Sequence, residues 1–391
     1  MPVSPIKEKS AIAALASLYA LRMLGLFLIY PVLAIYAQQM PHSTPFLIGL
    51  TMGVYGLSQA VLQIPFGMLS DKFGRKPLII IGLVLFALGS IVAALSTDIY
   101  GLIFGRLLQG MGAISAVITA LLSDLLAPQR RAKAMAMVGM TIGMSFGLSL
   151  ILAPALGAWF GLSGLFWLIV VLNIIAIGVL IYAVPTPAHS KVALPKGQWR
   201  EIFAQKQLWQ LNISIFFLHA LLTTLFVWMP AQLNHLASHW YQQSIIYLVL
   251  LIASYAVMMP VLIYAEKKYR QKQVLQGSVL IFSGVLLYFA FMPNTLFHLV
   301  LSLFLFLIPF NLLEATLPAW VSRIVPQQSR GAALGLYATA QFLGIFVGGV
   351  GSGLLLKYFS LPIVLFSNVG LMLIWWLLML GLKPLSPAHN E

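Results

Sequence analysis

The chain contains no cysteine among its 391 residues, and only 8% of its residues are charged. The absence of cysteine excludes disulfides, thiol catalysis and cysteine-bound metals. The shortage of charge argues against a soluble domain, because a hydrophobic share of 61% exceeds what such domains usually contain. The sequence also lacks metal-ligand spacings, a nucleophile elbow and a phosphate-binding loop. We therefore expect no enzyme, no cofactor and no metal site.

Long apolar runs fill the chain instead, and each is close to the length that crosses a bilayer as a helix. Each run must be helical, because backbone polar groups cannot stay unpaired in hydrocarbon. We predict an all-α membrane protein with twelve spans, numbered here in chain order. Spans 1 to 6 cover 11–39, 46–70, 77–97, 99–123, 133–158 and 163–184. Spans 7 to 12 cover 208–234, 244–265, 273–292, 295–322, 331–356 and 361–382.

The net charge of +14 at first resembles that of a nucleic-acid-binding protein. The positions of the charges exclude this interpretation. Nineteen of the 22 Lys and Arg residues lie in the N-terminal segment, the even-numbered connections and the C-terminal tail. Connections rich in Lys and Arg are typically cytoplasmic. We therefore expect both termini to lie in the cytoplasm. We also expect the chain to interact with the lipid bilayer and not with nucleic acid.

The two sets of six spans resemble each other and predict a duplicated architecture. The polar, proline-containing stretch 185–207 separates the predicted halves, 1–184 and 208–391. DKFGR at 71–75 and EKKYR at 266–270 lie 195 residues apart, as do Asn173 and Asn368. Pseudo-symmetric halves of this kind are typical of transporters, which bind their substrates at the interface between the halves near mid-membrane.

Three stretches of the first half contain glycine, charge and proline in recognisable patterns. GMLSDKFGRKPL contains Gly67, Asp71, Gly74, Arg75 and Lys76, and LIFGRLLQGMGA contains Arg106. GMTIGMSFGLSLILAPALGAW contains the residues Gly139, Gly143, Gly147, Pro154 and Gly157. They resemble motifs A, B and C of the major facilitator superfamily, which implies that fold and a bacterial inner-membrane location. For motif C, ordinary packing of small residues between helices is the alternative.

Within this superfamily the chain resembles the drug:proton antiporter branch and its YajR-like group. The group's pattern appears in LRMLGLFLIYPVLAIYA of span 1, FLHALLTTLFVWMP of span 7, and NLLEATLPAW and GLYATAQFLG of spans 10 and 11. Two features depart from it. Motif C has Ala153-Pro154 where Gly-Pro is usual, which weakens the antiporter inference. The sequence stops at Glu391, so we expect the soluble C-terminal domain of that group to be missing.

The resemblance also assigns a role to the charge cluster of motif A. It implies a latch in which Asp71 faces the start of span 11, near 329–332, while Arg75 pairs with Asp124. The dipole at a helix N-terminus favours a carboxylate there. The alternative is a simple stop-transfer cluster of charge, which leaves the acid and the two glycines unexplained.

Charged groups inside spans are costly and usually face protein or a water-filled cavity. Arg22, Arg106, His219 and Glu314 fall on spans 1, 4, 7 and 10, which line the central cavity in the family that the chain resembles. We expect Glu314 to carry the proton and the arginines to favour an anionic or zwitterionic solute. Structural bonds between helices are the alternative for Arg106 and His219. Further candidates for the cavity wall are Tyr30, Tyr36, Gln59, Gln63, Phe226, Trp228, Asn311, Tyr337 and Gln341.

These features predict a monomeric, proton-coupled efflux antiporter for small organic molecules that works by alternating access. The alternative is a proton-driven carrier of a specific anionic metabolite or siderophore, which includes an importer. A receptor built on the same fold would need neither a protonatable acid in the cavity nor an intact latch, and the sequence contains both.

Overall fold

A computed structural model describes residues 5–126, 128–185, 202–326 and 329–384, with side chains for 12–122, 124–126, 141–185, 202–326 and 329–384. The described chain is all-helical, as predicted. The helices of the first half are Pro5–Phe27, Tyr30–Ala37, Pro45–Phe73, Arg75–Leu95, Ile99–Met111, Ser115–Leu125 and Pro128–Tyr182. The helices of the second half are Lys206–Leu236, Trp240–Lys267, Gln271–Phe291, Leu296–Ile324, Arg330–Tyr358 and Leu361–Met379. The predicted linker includes 186–201, which lie outside the described residues.

The described residues form eleven helical stretches long and apolar enough to cross a membrane. One of them, Thr141–Tyr182, has 42 residues, about twice the length that a bilayer requires. It is broken at Gly161, whose φ of 65° and ψ of −176° are not helical. Glycine adopts this conformation without strain because it has no Cβ. The stretch therefore makes two crossings, which confirms the twelve predicted spans.

Spans 1 and 4 are each broken in mid-membrane, where the sequence pattern predicts single helices over 11–39 and 99–123. Span 1 is interrupted between Phe27 and Tyr30, just before Pro31, which has no N–H and crowds the preceding helical turn. Span 4 is interrupted between Met111 and Ser115, and Gly112 takes a non-helical ψ of 54°. Broken spans in transporters typically line binding sites.

Among the helices whose first residues the structure describes with side chains, three begin with a side-chain cap, and one turn depends on glycine. Thr44, Asp98 and Thr295 accept hydrogen bonds from backbone N–H groups three residues ahead, which satisfies donors that a helix start leaves free. Between spans 2 and 3, Gly74 has a φ of 95°, which L side chains rarely adopt. The chain therefore turns sharply at Gly74, between spans 2 and 3.

The spans of each half pack on one another, and a few pairs cross between the halves. In the first half, span 1 packs on the long helix of spans 5 and 6, and span 3 packs on span 4. In the second half, span 7 packs on span 11, and span 9 packs on span 12. The crossing pairs include span 2 with span 11 and span 8 with the spans 5–6 helix. We term this boundary the seam.

The seam is closed at one end of the bundle. We term the end that carries 72–76, 267–272 and Arg323 the basic end, and the other end, with 38–45 and 358–361, the opposite end. Towards the opposite end, span 2 meets span 11 backbone to backbone. A Cβ added at Gly53 would lie 2.8 Å from the Phe346 carbonyl oxygen, and one at Gly349 would lie 2.6 Å from that of Gly49. Only glycine allows such an approach.

Among the described residues, spans 2 and 11 lie farther apart at the basic end. A Cβ added at Gly67, Gly331 or Gly335 would meet no atom of the described residues within 4 Å. A cavity of about 40 Å³ separates Gln63 on span 2 from Gly335 on span 11. The same two helices therefore touch closely towards one end and part towards the other.

Candidate functional site

An acid, an imidazole and an amide meet inside the second half. His219 Nε2 of span 7 lies 3.8 Å from Glu314 Oε2 of span 10 and 2.8 Å from Gln341 Nε2 of span 11. An amide NH₂ only donates, so His219 Nε2 accepts the hydrogen bond and the ring is neutral in this arrangement. We term Glu314, His219, Gln341 and the nearby Tyr337 the acid–imidazole cluster.

The cluster has unused hydrogen-bonding capacity. Among the described residues, no hydrogen-bond partner is found for Glu314 Oε2, His219 Nδ1 or the Tyr337 hydroxyl, although all three atoms are buried. Buried polar atoms are nearly always paired in proteins, so unpaired ones need an explanation. The Glu314 side chain also keeps 29% of its surface accessible, against 6% for His219. The arrangement can accept a proton or a polar ligand group at Glu314.

A second polar contact lies one helical turn from Glu314. Asn311 Nδ2 donates to Ser254 Oγ of span 8 at 3.1 Å, so the predicted cavity residue Asn311 ties span 10 to span 8. The next residue of span 8, Tyr255, lies against motif C, and a Cβ added at Gly143 would sit 3.3 Å from its hydroxyl. Span 8 thus contacts both Asn311 and the glycines of span 5.

Motif C packs at the seam and against span 1. Gly147 faces Leu251 of span 8, where a Cβ would lie 2.6 Å from Leu251 Cδ2. Gly157 faces span 1, and its carbonyl oxygen accepts a hydrogen bond from the Tyr36 hydroxyl. Pro154 lies inside the helix. The packing of Gly139 lies outside the described side chains.

Both intramembrane arginines lie inside the first half instead of facing an open cavity. Arg22 is 1% exposed and donates to the Gly112 carbonyl at 2.8 Å, to Ser115 Oγ at 3.1 Å and to Gln59 Oε1 at 3.4 Å. The break in span 4 frees the Gly112 carbonyl for this bond. In this conformation the Arg22 guanidinium cannot form an ion pair with a substrate.

Arg106 is held in the same way. It is fully buried, donates to Gln109 Oε1 at 2.7 Å and lies over the Tyr55 ring at 4.8 Å. Gln109 in turn donates to Ser90 on span 3. This network joins spans 2, 3 and 4, as the structural alternative for Arg106 describes. A pairing of the two arginines with an anionic or zwitterionic solute stays a prediction, and it would need a conformation other than this one. Neither Gln109 nor Tyr55 carries a sequence signal that singles it out.

We predict that Arg22→Ala lowers the stability of the protein by about 2–5 kcal/mol, because it empties a buried volume and leaves buried acceptors unpaired. Thermal unfolding of the purified protein should show the loss as a lower Tm. Arg270, exposed at the basic end, is the matched control, and Arg270→Ala should change the Tm little. An unchanged Tm in Arg22→Ala together with a selective loss of anion transport would contradict this prediction and would indicate that Arg22 binds the substrate.

Motif A forms an ion-pair network within the first half. Arg75 Nε lies 3.0 Å from Asp124 Oδ2, which places the two residues as the resemblance implies, and Arg75 also contacts Asp71 and Ser70. Lys76 is half-buried at the start of span 3. The contact between Asp71 and the start of span 11 that the resemblance implies stays a prediction.

The second half contains a similar pair with the charges exchanged. Glu266, which follows span 8, pairs with Arg323 at the end of span 10 at 2.9 Å. In the first half the base follows span 2 and the acid ends span 4. The repeat seen in the sequence thus places an ion pair at the corresponding site of each half.

The remaining aromatic candidates separate into two groups. Tyr30 and Phe226 meet across the seam, with ring centroids 5.7 Å apart, and both are buried. Trp228 instead packs on Phe289, 5.2 Å away, beside a separate cleft within the second half that also contains His298. Gln63 is buried with both amide atoms unpaired. The structure therefore assigns Trp228 to a different place from the other candidates.

Comparison with known proteins identifies relatives along nearly the whole chain. A model of the Major Facilitator Superfamily matches residues 15–310 and again 239–391. The inner membrane transport protein YajR of Escherichia coli is 39% identical over 378 residues, which cover 94% of this chain and 82% of YajR. The uncharacterized transporter BU466 of Buchnera aphidicola is 35% identical over 341 residues, covering 85% and 86%. The crystal structure of the nucleoside transporter NupG gives a TM-score of 0.72 at 16% identity, covering 95% and 98%, and this likeness concerns the fold alone.

Proposed function

The chain belongs to the major facilitator superfamily, and we propose that it is a proton-coupled antiporter that exports small organic molecules across a bacterial inner membrane. Its relatives are transporters rather than enzymes. The chain is a multi-pass membrane protein and a secondary transporter. Proton coupling, antiport and export are the parts that we propose.

The acid–imidazole cluster is the observation that carries the proposal. Among the described spans Glu314 is the carboxylate that lies well inside the membrane, and the only ion-pair partner found there is His219, which is neutral as described above. A carboxylate without a compensating cation is costly at this depth. Gain or loss of one proton at Glu314 therefore changes the relative free energies of the conformations, which is what coupling requires.

Export is the direction that we propose, together with an orientation of the chain in the membrane. With the basic end in the cytoplasm, the conformation described here is open towards the cytoplasm and closed towards the periplasm. An exporter loads its substrate in this state. Asp71 then forms its contact with span 11 only after the basic end has closed, when the substrate can leave on the other side.

Motif C supports the assignment to the antiporter branch. Gly143 and Gly147 of span 5 lie against span 8 at the seam. Span 8 also accepts a hydrogen bond from Asn311 of span 10, which lies one helical turn from Glu314. Span 8 therefore contacts both the helix of Glu314 and span 5 at the seam. A change of conformation at the proposed proton site can be transmitted through these contacts to the seam. Ala153 replaces the usual glycine at a fully buried position.

Flux measurements in proteoliposomes test the proposal. Vesicles with an acidic lumen are supplied with a panel of organic cations, anions, zwitterions and neutral solutes, and lumenal pH is followed with a dye. Antiport predicts that a transported solute accumulates in the lumen while protons leave, and that a protonophore abolishes both. Accumulation only with an alkaline lumen would indicate symport and overturn the proposal in favour of a proton-driven importer.

A further inference from the structure

The cavity at the basic end of the seam has room for one polar group. It measures about 40 Å³, and a water molecule needs about 10–15 Å³ by this measure. Its walls belong to spans 2, 4 and 11, and none of the lining side chains is charged. The lining residues are Gln63, Ser115, Ala116, Thr119, Gly331, Leu334, Gly335 and Ala338. The amide group of a neutral molecule would fit inside, with the rest of the molecule remaining outside the cavity.

Gln63 supplies this cavity with an unsatisfied amide. The residue is 1% exposed, and neither Oε1 nor Nε2 finds a hydrogen-bond partner among the described residues. A buried amide left unpaired costs free energy, so a partner is strongly favoured. A primary amide presents an acceptor beside a donor. Its geometrical complement is another amide, which can form two parallel hydrogen bonds with it.

The span 4 wall adds positive potential. Span 4 restarts at Ser115, and the cavity is lined by Ser115 and Ala116 from the first turn of this second segment. No side chain caps that helix start, and the first N–H groups of a helix carry a partial positive charge. Arg22 also donates to Ser115 Oγ at 3.1 Å, which brings a positively charged guanidinium close to this wall. An acceptor such as a carbonyl oxygen is therefore favoured in the cavity.

We propose that this cavity, termed the Gln63 subsite, binds a neutral carboxamide or lactam group of the exported molecule when it first enters from the cytoplasm. The inference rests on the proposed function, because only an exporter loads from the basic end. A carboxylate fits less well, since it has no N–H to donate to Gln63 Oε1. Gly331 and Gly335 form the wall on span 11, so closure of the basic end narrows the subsite and releases the group.

Binding of δ-valerolactam to the full chain in nanodiscs, measured by saturation-transfer NMR, tests the subsite. Cyclohexanone has a similar ring and carbonyl but no N–H. We expect the protein to prefer the lactam at least about tenfold, and Gln63→Leu to weaken lactam binding by about tenfold, or 1.4 kcal/mol. The matched control is Gln271→Leu, because Gln271 is also buried at the basic end with both amide atoms unpaired. It should leave lactam binding unchanged.

Three results would overturn the subsite. One is absence of lactam binding or of a preference for it over cyclohexanone. Another is a Gln63→Leu protein that binds the lactam normally. The third is weakened lactam binding by that protein together with altered hydrogen exchange at both ends of the seam, which would make Gln63 a contact between the halves instead of a ligand group. The assay uses no pH gradient, so a failure of proton coupling and a failure of the subsite are separately visible.

Discussion

Glu314→Gln is expected to abolish solute accumulation driven by a pH gradient while leaving downhill exchange of solute intact. Glutamine has the shape and hydrogen-bonding groups of the neutral acid, so it can occupy the same place beside His219. It cannot release a proton, so the protein no longer exchanges a proton for a substrate. One pH unit is worth 1.36 kcal/mol per proton, which sustains a solute gradient of about tenfold for one-to-one exchange. In the variant this ratio should fall to about one.

The matched control for this variant is Glu266→Gln. Glu266 pairs with Arg323 outside the membrane at the basic end, so the same chemical change there removes a carboxylate without touching the cluster. Gradient-driven accumulation should persist in the control. If Glu314→Gln still accumulates solute and moves protons like the parent protein, the coupling acid lies elsewhere. Asp71 and Asp124 would then be the groups to examine next.

The sequence predicts the spans well because hydrophobic length alone determines which segments cross a bilayer. It does not predict the breaks in spans 1 and 4. Pro31 favours the first break without requiring it, and the second depends on a tertiary contact. The Gly112 carbonyl can leave its helix because Arg22, 90 residues away, donates to it. A single apolar run containing one proline or several glycines is compatible with both a straight helix and a broken one.

The candidate site was predictable only in part. A charge inside a span has to be satisfied, and the sequence does not say by what. Glu314 on span 10 lies 3.8 Å from His219 on span 7, and the sequence alone does not predict that distance. Arg22 instead donates from its two Nη atoms to a carbonyl, a hydroxyl and an amide of its own half, because a guanidinium has five donors. The sequence also could not assign Ser115 to a cavity wall, since that depends on the break preceding it.

Gly349→Val is expected to open the seam towards the opposite end and to stop transport. A Cβ at this position would lie 2.6 Å from the Gly49 carbonyl oxygen and 2.8 Å from Gly53 N, and neither backbone atom can move without shifting span 2. Overpacking costs about 1–3 kcal/mol or more, which shifts an equilibrium between conformations about 5–150-fold. The added side chain raises the free energy of the conformation described here. It does not raise that of the conformation in which spans 2 and 11 are separated at the opposite end.

Hydrogen exchange followed by mass spectrometry measures this shift. In Gly349→Val the amides of 45–56 and 345–358 should exchange faster, and those flanking Gly67 and Gly335 should exchange more slowly as the basic end closes. The matched control is Gly351→Val, because Gly351 lies on the same helix two residues away and a Cβ there meets no described atom within 4 Å. Exchange and transport should be normal in that control. Normal transport in Gly349→Val would mean that the closed contact between spans 2 and 11 does not belong to the working cycle. Faster exchange in both variants would indicate a general loss of stability instead of an opened seam.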